Sequence, residues 1–356
     1  MTDPRVIGIV ADDVTGAADS AGAFAAHGWR VLLLADGEAA SPEPGTVLAV
    51  VAHNRALPDE EARTASERAT ARLASVADRL FVKIDSTVRG SVASQIRGAL
   101  TEWARVAGDA HALVCPAFPA QSRTVRGGVV FVDGVPVHET PSGQDPITPV
   151  RSSDLAQLLQ APDVATEDAA TDADLDRIAR RIADDARTVA VGSAGLAHAL
   201  ARTWSRGAVP AAPLAAGGRV LVAVSSRLAV TRRQVDVLGG AEGISVISAT
   251  DRTDLSPDRA AALLADDVRT TLDSEPIDSL IVCGGDGLAA VLARLGAHAV
   301  RIDRALADGC PSGVIVGGAH DGLRIVTKSG GFGGPRTLLD LADALRSARS
   351  TKDDPS

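Results

Sequence analysis

Short, continuously apolar runs alternate with longer segments rich in Ala and Arg along most of this chain. The first runs are VIGIV, RVLLLA, TVLAVVA and RLFVKI, and helical segments such as GAADSAGAFAAHG and DEEARTASERATARLASVAD lie among them. Apolar residues fill both faces of such runs, as they do in a parallel sheet that helices cover on both sides. The alternation therefore predicts an α/β fold with layers of helix, sheet and helix.

The same pattern continues to the end of the chain with one interruption. Further predicted strands are ALVCPA, GVVFVDG and TVAVG in the first half and RVLVAVSS, SVISA, SLIVCGGDG, VIVGGA and LRIVTKSGG in the second. Residues 205–218 are rich in Pro, Gly and Ala and have little periodicity. We therefore predict an N-terminal domain with a mostly parallel sheet over residues 1–207, a linker over 208–217, a C-terminal domain over 218–349 and a flexible tail over 350–356.

Composition narrows the classes of function. The 356 residues carry a formal net charge of −9, and only 2% of them are aromatic. A nucleic-acid-binding surface normally needs a basic face and stacking aromatic rings, so we expect no nucleic-acid partner. No apolar run approaches the roughly 20 residues that cross a bilayer, and the N-terminal MTDPR lacks the apolar segment of a signal peptide. We therefore expect a cytoplasmic protein without a membrane partner.

Cysteine usage adds no site of its own. The three cysteines Cys115, Cys283 and Cys310 are far apart in the sequence and form no CxxC pair. This spacing indicates neither a zinc site nor a disulfide framework.

Two adjacent acids, Asp12 and Asp13, follow the first predicted strand, and small residues come after them. Ligands of parallel α/β sheets bind beyond the carboxyl ends of the strands. A carboxylate at this place can accept a proton from a substrate hydroxyl or hold a metal ion. One acid is enough to cap a helix, so the pair favours a catalytic site over capping alone.

A second group of polar residues follows RLFVKI, in the stretch KIDSTVRGS. Two cations, one acid and two hydroxyls stand within seven residues, namely Lys83, Asp85, Ser86, Thr87 and Arg89. Cations suit the carboxylate of a small molecule, and an acid suits its hydroxyls. We favour a site for an anionic, polyhydroxylated small molecule; the alternative is a capped helix with a solvated arginine.

A Pro-rich loop with two arginines, Arg123 and Arg126, follows ALVC. Both side chains could fork onto a carboxylate or a phosphate. Taken alone, an ordinary basic loop explains this stretch equally well.

Glycine-rich turns follow two predicted strands of the second half, in VCGGDGLAAVLARLG and VTKSGGFGGP. The backbone N–H groups of such turns bind phosphate oxygens at helix N-termini. Neither stretch is a GxxxxGK[ST] loop or a GxGxxG fingerprint, and each alone could be a structural turn. Together with VAVSSRLAVTRRQ they favour a nucleotide site. An anionic polyol site in one domain and a phosphate site in the other, with a cleft between the domains as the active site, would suit phosphoryl transfer.

The chain resembles the four-carbon acid sugar kinase family, which includes threonate, erythronate and 3-oxo-tetronate kinases. The resemblance covers nearly the whole chain and rests on ADDVTGAADS, KIDSTVRG, CPAFPAQSRTVRGG, VDGVPV with DPITPV, GSAGLA, TRRQ and VTKSGGFG in the family's order. It implies transfer of a phosphoryl group from ATP to the terminal hydroxyl of a four-carbon sugar acid with Mg²⁺. It also implies a sugar-acid-binding N-terminal domain and a nucleotide-binding C-terminal domain.

The motifs also assign residues. The resemblance implies that Asp12, Asp13 and the KIDSTVRG residues face the sugar acid. We expect Asp12 or Asp13 to be the base that deprotonates the terminal hydroxyl. Lys83 and Arg89 would hold the substrate carboxylate, with Arg123 as a helper. The expected nucleotide-binding residues are Ser225, Ser226, Gly284, Gly285, Asp286, Gly287, Lys328, Ser329, Gly330 and Gly331. Metal ligands stay unassigned among Asp12, Asp13 and Asp286.

The chain departs from the family pattern in two loops. It reads Val224-Ser225-Ser226 where Ser-Gly-Ser is usual, and Asp286-Gly287-Leu288 where an acid, Thr and Ala are usual. These changes bear on ATP affinity more than on the sugar site. A kinase of a branched acid such as 3-oxo-isoapionate and a non-catalytic sensor of sugar acid and nucleotide stay open as alternatives, as does homo-oligomer formation. A nicotinamide-dependent dehydrogenase is disfavoured, because acids after the first strand would repel a pyrophosphate.

Overall fold

A computed structural model describes residues 4–35, 42–207, 218–252, 254–307, 309–328 and 330–347 of the chain. The predicted linker, the predicted tail and Ser329 therefore lie outside the described residues. The described chain groups into two compact units. One contains residues 4–32 and 42–207, and the other contains residues 33–35 and the described part of 218–347.

The first unit is built on a mostly parallel sheet. Its strands are β1 (Val6–Ala11), β2 (Arg30–Leu34), β3 (Thr46–Val51), β4 (Arg79–Lys83), β5 (His111–Cys115), β6 (Arg123–Arg126), β7 (Val129–Val132), β8 (Val135–Pro136), β9 (Val164–Thr166) and β10 (Thr188–Gly192). The large sheet has the order β2-β3-β1-β4-β10-β5-β9, and its pairs from β3 to β9 are parallel. β1 and β10 are buried along their whole length, which is why their sequences read as continuous apolar runs.

Two groups of helices cover this sheet. The helices are α1 (Val14–Ala26), α2 (Asp59–Ala74), α3 (Val92–Ala107), α4 (Leu155–Leu159), α5 (Asp172–Asp184) and α6 (Ala194–Thr203). α1, α5 and α6 pack together, α2, α3 and α4 pack together, and both groups contact the central strands. The close approach of α2 to α3 needs Gly98, where an added Cβ would overlap the Arg63 carbonyl oxygen. These are the predicted layers of helix, sheet and helix.

The parallel strands of this unit end in register. Ala11 pairs with Val51 on one side and with Lys83 on the other, and Gly192 pairs with both Lys83 and Cys115. The segments that follow these strands therefore begin along one edge of the sheet, the edge at which parallel α/β sheets bind their ligands.

The second unit also combines strands with helices that pack in pairs. Its strands are β11 (Val220–Val224), β12 (Ile244–Ser248), β13 (Ser279–Cys283), β14 (Ala299–Ala307), β15 (Cys310–Val316) and β16 (Arg324–Lys328), in the order β12-β11-β13-β16-β15-β14. Its helices are α7 (Ala229–Leu238), α8 (Pro257–Ser274), α9 (Gly285–Leu295) and α10 (Thr337–Ser347). α8 packs on α9, and α10 packs on α7 above an apolar core that includes Val222, Ile281 and Leu341.

The predicted two-domain α/β fold is confirmed, with one difference in strand pairing in the first unit. GVVFVDG does form a strand, β7, but it pairs with β6 and β8 in a separate antiparallel sheet. VIVGGA forms part of β15, which is antiparallel to β14 and β16. The pattern did not predict β14, because buried and exposed positions alternate there at Val300, Arg301 and Ile302 instead of forming an apolar run. None of the described helices is both long and apolar enough to cross a membrane.

Candidate active site

The two acids after β1 have different surroundings. Asp13 caps α1, since its Oδ1 accepts a hydrogen bond of 2.7 Å from the backbone N–H of Gly16. Helix capping, the alternative to a catalytic role, therefore accounts for one of the two carboxylate oxygens of Asp13. The side chain of Asp13 is 30% exposed, whereas that of Asp12 is 1% exposed. Of the pair, only Asp13 presents its carboxylate to solvent.

Arg55 joins these acids to a third one. Its Nε donates to Asp12 Oδ2 at 2.7 Å and its Nη2 to Asp12 Oδ1 at 3.0 Å. Its Nη1 lies 2.6 Å from Asp13 Oδ2, and its Nη2 lies 3.6 Å from Asp85 Oδ1. One guanidinium, with its side chain 20% exposed, thus contacts three carboxylates that follow β1 and β4.

Arg55 is a candidate site residue that was not predicted from the sequence, although its position in the chain carries a signal. Arg55 follows β3 in the stretch VAHNR, four residues past Val51. It stands after the apolar run TVLAVVA just as the acids Asp12 and Asp13 stand after VIGIV. Ligand-binding residues follow parallel strands, so this position is the signal in the sequence that indicates Arg55.

The KIDSTVRG residues form the rest of this cluster. Asp85 accepts from Arg89 Nη2 at 2.8 Å and from Arg89 Nε at 3.0 Å. It also accepts from the backbone N–H of Thr87 at 3.0 Å and from the Thr87 hydroxyl. Ser86 is half-buried in the same turn. Arg89 is 32% exposed at its side chain and also lies 3.5 Å from Asp145 Oδ2.

Lys83 completes the cluster from the end of β4. It is 6% exposed, and its Nζ donates to the Ile84 carbonyl oxygen at 2.7 Å. A Cβ added to Gly16 would come within 3 Å of both Lys83 Nζ and Asp13 Oδ1. The missing side chain at Gly16 therefore lets the ammonium and the carboxylate approach the same point. Three acids and three cations are gathered at this end of the sheet.

Burial and neighbouring cations have opposite effects on the pKa values of the buried carboxyl groups. Burial raises the pKa of the Asp12 carboxyl, although Arg55 and Lys83 act against it. Burial would also raise the pKa of Asp85, but Arg55 and Arg89 outweigh it and hold that pKa well below its usual range. Asp85 is therefore a permanent anion that fixes the two arginines.

The loop that carries these residues has an uncommon backbone conformation. Val88 has φ of 53°, which is unfavourable for a β-branched residue. Gly90 has φ of 85°, and a Cβ there would overlap the carbonyl oxygen of Arg55. The loop after β4 thus packs directly on the backbone of Arg55, and backbone strain of this kind is often found at functional sites.

Arg123 lies apart from this cluster in the contacts that the structure describes. It belongs to β6 in the three-stranded sheet, and its Nη1 donates to the backbone and side-chain oxygens of Gln121. Arg126, in the same strand, is exposed. Within the described part of the chain, no hydrogen bond or ion pair joins either arginine to Asp12, Asp13 or Asp85.

In the second unit, the predicted nucleotide loops also follow strands that end in register. Val224 pairs with Cys283, and Cys283 pairs with Lys328. The loops after β11, β13 and β16 therefore begin side by side. Gly284 has φ of 115° and caps α9, and Asp286 is exposed in the first turn of that helix.

Ser225 and Ser226 fill the space that the glycines leave. Ser225 Oγ accepts from the backbone N–H of Gly287 at 3.2 Å and lies 3.3 Å from the Cys283 carbonyl oxygen. A Cβ on Gly284 or Gly287 would overlap Ser225 Oγ, and a Cβ on Gly330 would overlap Ser226 Oγ. The glycines are therefore needed for close packing of the three loops, besides any contact with a ligand.

Lys328 lies beneath these loops. It is 3% exposed, and its Nζ lies 3.9 Å from Cys283 Sγ. Burial lowers the pKa of this lysine. Gly330 is buried, whereas Gly331 is exposed. Among the residues with described positions, no group of three or more His, Cys, Asp or Glu side chains could hold a metal ion.

Comparisons with known proteins agree with the two units. A family model described as a sugar-binding N-terminal domain matches residues 7–164, and one described as a nucleotide-binding C-terminal domain matches residues 239–338. A D-threonate kinase from Bordetella bronchiseptica is 36% identical over 97% of this chain and 99% of its own length. A 3-oxo-tetronate kinase from Methylobacterium radiotolerans is 27% identical over 92% of this chain and 96% of its own length.

Solved structures show the same fold. A Bordetella bronchiseptica domain of unknown function, crystallised with citrate as a domain-swapped dimer, is 33% identical with a TM-score of 0.52 and covers 97% of this chain and 99% of its own. A Haemophilus influenzae protein with a TM-score of 0.75 is only 20% identical over 95% of this chain and all of its own, so this likeness concerns the fold alone. From the two domain matches and the threonate kinase relative, the chain belongs to the four-carbon acid sugar kinase family and is a phosphotransferase.

Proposed function

We propose that this enzyme transfers the γ-phosphoryl group of ATP to the terminal hydroxyl of a four-carbon sugar acid and forms its 4-phosphate. The observation that carries the proposal is the cluster of Asp12, Asp13, Asp85, Arg55, Arg89 and Lys83 at the carboxyl ends of β1, β3 and β4. A small acid with several hydroxyls needs both signs of charge at close range, and the cluster offers both. The threonate kinase relative makes D-threonate the first substrate to test.

Asp13 is our candidate for the base, because it is the acid that a substrate can reach. Its Oδ1 stays on the Gly16 N–H, and its Oδ2 stays within 2.6 Å of Arg55, so the carboxylate is held in one orientation. A fixed carboxylate can orient the terminal hydroxyl and take its proton as the phosphoryl group is transferred. Asp12, buried behind Arg55, would hold that arginine in place.

The exposed cations of the cluster are the candidates for binding the substrate carboxylate. Arg89 is fixed by Asp85 through two nitrogens, and its side chain is the most exposed of the three cations. Among the described residues, its Nη1 has one contact, at 3.5 Å to Asp145, so we propose that this nitrogen binds the substrate. Lys83, which is buried in the same cluster, would add positive charge near the substrate carboxylate. Arg123 is proposed to assist in binding that carboxylate.

The nucleotide is proposed to bind in the second unit. The turn at Gly284 to Gly287 opens α9, and phosphate oxygens are favoured at such a helix N-terminus. Ser225, Ser226, Gly285, Asp286, Ser329, Gly330 and Gly331 would complete the phosphate site, and Lys328 would lie beneath it and add positive charge without touching a phosphate. Mg²⁺, when bound, neutralises phosphate charge, and it commonly takes most of its ligands from phosphates and water. The active-site cleft between the domains, a cytoplasmic location and a homo-oligomer stay predictions.

Coupled measurement of ADP release tests the proposal. The purified protein is assayed with Mg-ATP and D- and L-threonate, D- and L-erythronate, their 3-oxo forms and 3-oxo-isoapionate. Turnover with a four-carbon acid, highest with D-threonate, is the expected result. Calorimetry with each acid is the control, because binding without turnover would favour a sensor. Folded protein that neither binds nor phosphorylates any of the acids would contradict the proposal.

A further inference from the structure

Two buried side chains of α7 bind the backbone of the glycine-rich loop that follows β16. Thr231 Oγ1 donates to the carbonyl oxygen of Gly330 at 2.7 Å. Gln234 Nε2 lies within hydrogen-bond distance of the carbonyl oxygens of residues 332, 333 and 334, at 3.0, 3.3 and 2.9 Å. Both side chains are completely buried and lie about one helical turn apart, on the same face of α7.

This arrangement determines which end of each peptide group faces away from the helix. In a trans peptide, the N–H of one residue points opposite to the carbonyl of the residue before it. With the carbonyls of residues 330, 332 and 333 turned toward α7, the N–H groups of Gly331, Gly333 and Gly334 are directed away from it. The fourth carbonyl precedes Pro335, which has no N–H.

Those three N–H groups have no protein acceptor among the described residues. No hydrogen bond between described groups is donated by the backbone of residues 331, 333 or 334. All three glycines are exposed. N–H groups that point from one short loop toward solvent are the groups that bind anions in phosphate-binding loops.

A third side chain extends this contact to the neighbouring loop. Ser226 Oγ lies 2.9 Å from Thr231 Oγ1, and Ser226 belongs to the loop after β11. A Cβ on Gly330 would overlap Ser226 Oγ, so this serine packs directly on the glycine whose carbonyl Thr231 holds. The hydroxyl of Thr231 therefore joins two of the loops that we assign to the nucleotide.

We propose that Thr231 and Gln234 are positioning residues for the nucleotide: they hold the carbonyl groups of residues 330–334 against α7, so that the N–H groups of Gly331, Gly333 and Gly334 face the phosphates of ATP. Neither side chain reaches the ligand itself. This inference rests on the proposed function, since it concerns how that site is formed. It also gives a physical reason for the TRRQ motif: Thr231 and Gln234 stand three residues apart, so both face the same loop.

Steady-state kinetics and calorimetry on substituted enzymes test this role. Thr231→Val keeps the shape but removes the hydroxyl, and Gln234→Asn keeps the amide but shortens it by one methylene. For both variants we expect the KM for ATP, and the Kd of ATP without sugar acid, to rise about tenfold, because the loop amides lose their fixed direction. The KM for the sugar acid should stay within about twofold of the wild-type value.

Two controls separate positioning from general stability. Thr231→Ser restores the hydroxyl and should return the KM for ATP to near the wild-type value. Thr271→Val removes a partly buried hydroxyl from α8, one that donates to the Asp267 carbonyl, and should leave the KM for ATP unchanged. If Thr231→Val does not fold, Gln234→Asn serves as the test variant, because it keeps an amide group. Thr231→Ser, which keeps the hydroxyl, stays the control.

The outcomes distinguish this inference from the function on which it rests. A wild-type enzyme without ADP release on any sugar acid would overturn the proposed function. A wild-type enzyme that turns over, with variants whose KM for ATP is unchanged, would overturn only the positioning role. Equal rises in both KM values together with a lower Tm would also overturn it, because they would show general loss of structure.

Discussion

The two candidate sites lie at the carboxyl ends of parallel strands, but they are made of different chemical groups. In the first unit, charged side chains dominate, and one arginine contacts three carboxylates. In the second unit, backbone N–H groups, glycines and small hydroxyls dominate, and the lysine is buried. Ion pairs place charges at defined points, which suits a small acid whose hydroxyls must be told apart. Backbone amides suit phosphates, which most nucleotides share.

The difference also determines how each site tolerates substitution. A charged cluster depends on a few side chains, so one substitution removes a function. A backbone site depends on the space around it, so the harmful changes are those that add atoms or release the loop.

Asp13→Asn should lower kcat by about 10²–10⁴-fold, because the fixed proton acceptor is lost. The asparagine oxygen can still accept from the Gly16 N–H, so the fold should be kept, although loss of the ion pair with Arg55 should lower the Tm by a few degrees. ADP-release kinetics and circular dichroism check both statements. Asp12→Asn is the matched comparison, and near-normal turnover in both variants would remove the base from this pair of acids.

Arg55→Met should destabilise the first unit by about 3–5 kcal/mol at neutral pH, because three carboxylates lose their shared cation. In the wild type, the depressed pKa of Asp85 contributes stability that is present above the ordinary carboxyl pKa and is lost as the pH falls toward the folded-state pKa. In the variant, protonation relieves the repulsion between the acids. The stability difference should therefore shrink as the pH falls below about 4.

Denaturant unfolding at a series of pH values measures that difference. Arg105→Met, at an exposed arginine paired with Glu102, is the control and should change stability by less than about 1 kcal/mol. A difference for Arg55→Met that stays constant from pH 7 to pH 3 would argue against charge compensation as the role of this arginine.

Gly284→Ala should raise the KM for ATP several-fold and lower stability by about 1–3 kcal/mol, since its Cβ would overlap Ser225 Oγ and its φ is 115°. Adding Ser225→Ala removes the overlapping atom and should recover part of the loss. Gly22→Ala in α1 is the control, because no atom lies within 4 Å of its added Cβ. The idea of a space-limited site would be contradicted if Gly284→Ala bound ATP normally.

Lys328→Met should have the smallest effect on nucleotide binding, less than about threefold in the KM for ATP, because the lysine is 3% exposed beneath the loops. Burial lowers the pKa of Lys328, so its charged form costs stability at neutral pH and that cost diminishes as the pH rises. Calorimetric titration with ATP measures the affinity of the variant for the nucleotide. A tenfold or greater loss of ATP affinity would show that the ammonium does reach a phosphate, as the sequence motif suggests.

The positions of the main strands and the polar stretches after them could be predicted from the sequence. Strands such as β1 and β10 are buried along their length and form apolar runs in the sequence, and the acids and cations near the ends of β1 and β4 stand within a few residues of each other. Short-range information of this kind is visible in any sequence that alternates strands and helices. The pairing of β7 and β15 could not be predicted, because an apolar run does not reveal the direction of its partner.

The α/β class, the expectation of a sugar-acid half and a phosphate half, and the candidate acids and glycines of both could be derived from the amino-acid sequence alone. The tertiary structure was needed to show that Asp12 is buried while Asp13 is accessible, and that Arg55, 43 residues away from Asp12, contacts both. It also decided that Gln234 reaches carbonyls about a hundred residues further along the chain. Periodicity records what lies next to a residue along the chain, whereas burial and long-range hydrogen bonds arise only when parallel strands align their ends.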